Sequence, residues 1–140
     1  MKKILRLDFL PINPDLALFI LRIWIGFSLF YKHGIEKLTN FQGMATHFPD
    51  PIHIGVKPSL AFALLSDGIC SVLVMLGLGT RLAATVIAIN LLVVFTILHG
   101  LSFVDGHAEL VYAYLGVFII LVIAGGGKYS LDEVLVKNKK

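Results

Sequence analysis

The chain has one cysteine among 140 residues, and only 15% of its residues are charged. With Cys70 alone, neither an intrachain disulfide nor a C-x-x-C redox pair can form, so any electron chemistry has to reside in a bound molecule or a partner subunit. A nucleotide-binding glycine loop, a catalytic triad and a haem-type pair of histidines at matching depth are also missing. The five histidines, His33, His47, His53, His99 and His107, show no tight ligand spacing such as H-x-x-x-H, and no metal site is expected. The scarcity of charge excludes most. Soluble domains are roughly one quarter charged, whereas this chain is 57% hydrophobic with a mean hydropathy of +0.87. It reads as a polytopic membrane protein.

What is present are long apolar runs separated by turn signals. At about 20 apolar residues per span, the length admits four helices in a single domain covering 1–140, and an all-α four-helix transmembrane bundle is expected. The spans are placed at about 14–37, 59–78, 82–98 and 109–125. Asn13-Pro14-Asp15 supplies an N-cap, a proline at the first helical position and an acid at the positive end of the dipole. Pro49, Pro51 and Pro58 forbid a continuous helix over 39–58, which is expected to fold back onto the membrane surface. Gly77 to Arg81 reads as a tight turn, Gly125-Gly126-Gly127 as a helix stop, and Ser130-Leu131-Asp132-Glu133 as a capping box opening a short amphipathic tail helix.

The apolar run that follows the basic start is too long for a cleavable signal, so the first span is expected to remain as an anchor. Residues 1–12 carry Lys2, Lys3 and Arg6 among apolar residues and read as an interfacial segment. The net charge of +3 and pI near 9.1 fit membrane topology better than nucleic-acid binding, because the basic residues gather at the chain ends. With the N-terminus inside, eight of the lysines and arginines fall inside, and Lys32, Lys37 and Lys57 fall outside. Both termini are therefore expected in the cytoplasm.

Arg22 and Asp67 stand out, because a charge at mid-bilayer costs at least about 2.5–3.5 kcal/mol on insertion scales. At 3.6 residues per turn, Arg22, Gly26, His33 and Lys37 fall within about 60° of one another on the first helix. Arg22 is placed about 16 Å inward from His33 and Asp67 about 13 Å inward from Pro58, so an interhelical ion pair is expected. It either locks two helices or leaves one member for an anionic or carbonyl-bearing ligand. Glu109, with Tyr112 and Gly116 on its side of the fourth helix, either complements that helix's dipole or pairs with Lys37 or His33 to close a polar pocket. The ligand-binding candidates are Arg22, His33, Lys37, Asp67, Glu109 and Tyr112. Asn90 and Ser71 read as interhelical hydrogen-bonding residues, and Gly26, Gly68 and Gly116 as points of close helix approach.

Several segments together resemble the DoxX family of small bacterial membrane proteins: Arg22-Ile23, Phe30-Tyr31-Lys32-His33-Gly34-Ile35-Glu36-Lys37-Leu38, Gly77-Leu78-Gly79-Thr80-Arg81-Leu82, and Gly126-Gly127-Lys128-Tyr129-Ser130-Leu131-Asp132. The resemblance implies a multi-pass inner-membrane protein. Some relatives act as subunits of thiosulfate:quinone oxidoreductase or of membrane redox complexes against oxidative and thiol stress. Where the family is expected to carry a glutamate in the second helix, this chain has the shorter Asp67. The resulting expectation is a redox-system subunit without a covalent cofactor that holds a quinone or similar molecule, the lipid bilayer, a redox partner protein and a homo-oligomer being its implied partners. In that reading Arg22 and His33 donate to the ligand's oxygens, and Arg22→Ala abolishes binding. A small proton-linked transporter using Asp67, His33 and Glu109, and a non-catalytic scaffold with purely structural charges, are the alternatives.

Overall fold

The computed structural model describes residues 12–138; the interfacial segment read from residues 1–12 lies outside it except for Ile12. Four helices are long and apolar enough to cross a membrane: α1 Pro14–Thr39, α2 Val56–Leu76, α3 Thr80–Leu98 and α4 Gly106–Ala124. A short helix, α5, follows over Leu131–Lys137. The described residues form no strand, and the all-α expectation holds.

Local chemistry sets the boundaries. Asn13 Oδ1 accepts the N–H of Leu16 at 3.0 Å with Pro14 at the first helical position, as the sequence implies. The second span begins three residues earlier than expected, at Val56, because Asp50 organises the turn before it. Its carboxylate accepts from Ser59 Oγ at 2.7 Å and from the N–H groups of Gly55 at 2.7 Å and Ile54 at 3.1 Å. These bonds, Ser59 foremost, hold the Asp50 carboxyl below the usual range. The α2–α3 turn places Gly77 and Gly79 at φ +71° and +57°, the left-handed region that glycine enters without strain. Asp105 caps α4, and Ser130 Oγ accepts from Glu133 N–H at 3.3 Å to cap α5.

Neighbours in sequence are neighbours in space: α1 packs on α2, α2 on α3, α3 along α4, and α4 returns to α1. Leu29, Cys70, Val74, Ala84, Ile87 and Phe118 are among the side chains that fill the middle. Large apolar residues such as Trp24, Leu82 and Ile123 face outward at 76%, 73% and 76% exposure, as lipid contact requires. Close approach of α1 to α2 rests on Gly26 and Gly34. A Cβ on Gly26 would lie 2.9 Å from Ser71 O, and one on Gly34 2.7 Å from Asp67 O. Gly34 thus takes the role expected of Gly116, which is exposed and has no neighbour where its Cβ would be.

Three of the spans contain a π-helical turn, at Phe30–Gly34 in α1, Leu65–Cys70 in α2 and Val94–Leu98 in α3. Such a turn disturbs the ordinary i→i+4 ladder and leaves carbonyls in need of other donors. A side chain supplies one in each helix. Lys37 Nζ donates to His33 O at 3.2 Å, Ser71 Oγ to Asp67 O at 2.5 Å, and Thr96 Oγ1 to Leu92 O at 2.7 Å.

Both described chain ends lie at one end of the bundle, here termed basal, where Lys128 N–H donates to Asp15 Oδ1 at 3.0 Å. The π turns of α1 and α3 and the α3–α4 loop belong to the opposite, distal half, and the π turn of α2 lies at mid-span.

Candidate functional site

Arg22 is fully buried, but it does not meet Asp67. Its Nη1 donates to Val74 O at 3.2 Å and Met75 O at 3.3 Å, and its Nη2 to Tyr129 O at 2.7 Å; Nε has no partner among the described residues. The guanidinium therefore closes the carbonyl-rich C-terminal end of α2 and ties it to the segment after α4. Its surroundings are built for that contact, since a Cβ on Gly77 would collide with Nη1. Asp132 completes the basal lock. Its Oδ1 accepts from Gly79 N–H at 2.6 Å, its Oδ2 from Thr80 N–H at 2.9 Å, and its own N–H donates to Gly77 O at 2.9 Å. Burial works against charge on Asp132, yet the Thr80 and Gly79 N–H groups, with Arg22 nearby, outweigh it and keep the carboxyl below its ordinary value. The expected Arg22–Asp67 pair is corrected accordingly: Arg22 anchors backbone carbonyls at the basal end.

The partner of Asp67 is Lys37, with Nζ 2.9 Å from Oδ2 and each residue only 6% exposed. Side chains on a helix lean toward its N-terminus, so Lys37 reaches back about one turn from near the end of α1. The other carboxylate oxygen, Oδ1, accepts from Ser66 Oγ at 3.0 Å and from Asn90 Nδ2 at 3.3 Å. Three spans thus meet in a buried, net-neutral cluster of Lys37, Asp67 and Asn90.

This cluster opens onto a cavity of about 550 Å³ in the distal half, to which all four spans contribute. Leu29, Ala63, Leu91, Val94 and Val111 are among the apolar side chains of its wall, and Phe48, Pro49 and Pro51 of the α1–α2 connection fold over it. That connection thus lies against the bundle. His33 lines the cavity, as does Tyr114, whose hydroxyl shares a short hydrogen bond with Ser28 Oγ. At the rim, His99 Nδ1 lies 3.2 Å from Asp105 Oδ2, and His107 is close by. The His107 N–H and the His99 ring hold the Asp105 carboxyl below its usual range.

Of the six candidates, the structure brings together His33, Lys37 and Asp67. Arg22 is at the basal lock. Glu109 sits exposed on the first turn of α4, and neither it nor Tyr112 lines the cavity, so the expected closure of the pocket by Glu109 over Lys37 or His33 does not occur. Tyr112 instead packs edge-on against Phe95, with ring centroids 5.8 Å apart, and beside Phe103. Sequence reasoning assigned Asn90 to interhelical bonding, which it does, and missed that it also faces the cavity. For His99 and His107 only position near the distal ends of spans was available as a signal, and Tyr114, in the middle of α4, had none. Among the described residues no group of three or more His, Cys, Asp or Glu side chains is placed to hold a metal ion.

The DoxX family model matches residues 17–100, which take in the floor cluster and all three π turns. The chain belongs to the DoxX family. With its four apolar helices, this DoxX protein is a multi-pass inner-membrane protein. It is also 29% identical over 133 residues to an uncharacterized protein of Haemophilus influenzae, an alignment covering 90% of this chain and 87% of the other. No solved structure matches it.

Proposed function

We propose that this DoxX protein is a subunit of a membrane redox system, and that its distal cavity holds a quinone or a similar small molecule with a polar head. The observation that carries the reading is the juxtaposition of a buried Lys37–Asp67–Asn90 floor with a largely apolar cavity of about 550 Å³. That volume falls within the range of about 300–1,000 Å³ common for ligand pockets, where a few convergent polar groups fix orientation. Lys37 takes the role first read into Arg22, donating to a ligand oxygen while Asp67 orients it, and His33 offers a second polar contact on the wall. By the distribution of lysine and arginine, the basal end faces the cytoplasm and the cavity belongs to the other leaflet. The ligand supplies the electron chemistry, with a partner protein as its source or acceptor.

The buried pair also favours a second reading, a proton-linked transporter. Support for it is weaker, because Glu109, the outer member of the expected relay, stands outside the cavity.

The test is binding of decylubiquinone to the purified chain in lipid nanodiscs, measured against empty nanodiscs. Saturable binding weakened at least tenfold by Lys37→Met is expected. Equal partitioning into empty and loaded nanodiscs, or wild-type affinity in a folded Lys37→Met protein, overturns the reading.

A further inference from the structure

The floor of the cavity has a hydrogen-bonding polarity that discriminates between ligand heads. The Asn90 amide faces Asp67 Oδ1 with its Nδ2 at 3.3 Å. A carboxylate can only accept, so this contact fixes which way the amide points and turns Asn90 Oδ1 away from Asp67. That oxygen receives no hydrogen bond among the described residues. No atom of Asn90 is among the sealed, unpartnered ones, and Asn90 lines the cavity, so Oδ1 is reached from there. On the same floor, Lys37 Nζ carries three N–H donors, of which two go to Asp67 Oδ2 and His33 O. The third has no acceptor among the described residues. The floor therefore presents one donor and one acceptor to the same cavity, held by the two oxygens of one carboxylate, on a cluster whose charges cancel.

A ligand head that satisfies both must accept one hydrogen bond and donate another, and it must be neutral. A ring carbonyl can only accept, which leaves Asn90 Oδ1 without a partner once the head displaces water. A ring hydroxyl does both, accepting from Lys37 Nζ and donating to Asn90 Oδ1. We infer that the cavity selects the reduced, hydroxyl-bearing form of its ligand, a quinol, over the corresponding quinone, with Asn90 as the residue that sets the preference. The inference rests on the cavity being a quinone-type site and adds which redox form it favours.

Leaving one buried acceptor unpaired corresponds to a preference of about tenfold. Tighter binding of the reduced form by that factor raises the midpoint potential of a bound two-electron couple by about 30 mV. The site thus favours the form that has already taken up two electrons and two protons.

The experiment compares decylubiquinol and decylubiquinone on the full chain in nanodiscs under anaerobic conditions, with the dimethyl ether of the quinol as a third ligand. The expected result is a dissociation constant about tenfold lower for the quinol. The dimethyl ether, which has no hydroxyl to donate, should bind no better than the quinone, a comparison that needs no variant. In Asn90→Leu, provided it folds, the ratio should fall to about one. Equal affinities for the two forms, or a quinol-sized affinity for the ether, overturn the inference while leaving the cavity reading in place. Absence of saturable binding by all three ligands removes the cavity reading itself, and the preference with it.

Discussion

Removing the Lys37 ammonium while keeping Asp67 tests the buried cluster most directly. The two charged atoms are 2.9 Å apart. At an effective dielectric of about 20, that separation corresponds to roughly 6 kcal/mol of attraction, set against a desolvation penalty of several kcal/mol for each ion. The intact pair is therefore close to balanced, and the loss of one member is the severe event. Lys37→Met leaves a carboxylate at 6% exposure with only Ser66 and Asn90 as donors. Such an orphaned charge costs about 3–5 kcal/mol. Lys37→Met and Asp67→Leu are each expected to lose about 3–5 kcal/mol, and the double variant to come within about 1 kcal/mol of the parent. Reversible unfolding in mixed micelles, followed by helicity, gives the three values. The reasoning is refuted if Lys37→Met loses less than about 1 kcal/mol, or if the double variant is as unstable as the two singles added together.

Arg22→Met should lower stability by about 2–4 kcal/mol through the loss of its carbonyl contacts, and it should leave ligand affinity within twofold because the lock lies away from the cavity. Thermal unfolding and nanodisc binding on one preparation separate the two, and a tenfold loss of affinity at unchanged stability would overturn this placement. The Asp132 contribution is pH-dependent with a definite sign: its folded value is depressed, so the stabilisation is complete above the ordinary carboxylate value of about 3.9 and is lost as pH falls through the folded value. Hydrogen exchange at Gly79 and Thr80, corrected for intrinsic rates, should stay constant from pH 7 to pH 5 and rise only in stronger acid; Asp132→Asn should raise it at pH 7 and remove the acid step.

The elements that depend on neighbours in sequence were legible before any coordinates. Asn13 with Pro14, the Gly77–Gly79 turn and the Ser130 box each settle a local backbone problem with residues a few positions away, and each does so as expected. The chemical abnormality of Arg22 and Asp67 was legible too, since both are buried. Their partners were not. Arg22 is satisfied by the carbonyls of Val74, Met75 and Tyr129, and a backbone acceptor has no residue type that announces it. Lys37 looked like a rim residue because its Cα lies near the end of α1, although the lean of helical side chains toward the N-terminus was a usable signal that it reaches deeper. The stripe through Arg22, Gly26, His33 and Lys37 assumed one unbroken 3.6-residue period. The π turn at Phe30–Gly34 breaks that period between its second and fourth members. What looked like a single face is two: a basal half where Arg22 and Gly26 meet the end of α2, and a distal half where His33 and Lys37 turn to the cavity. The π turns of α2 and α3 also border that cavity, and Asp67 itself sits within the first of them, so the departure from helical regularity that hid the site from a periodic reading lies at the site itself.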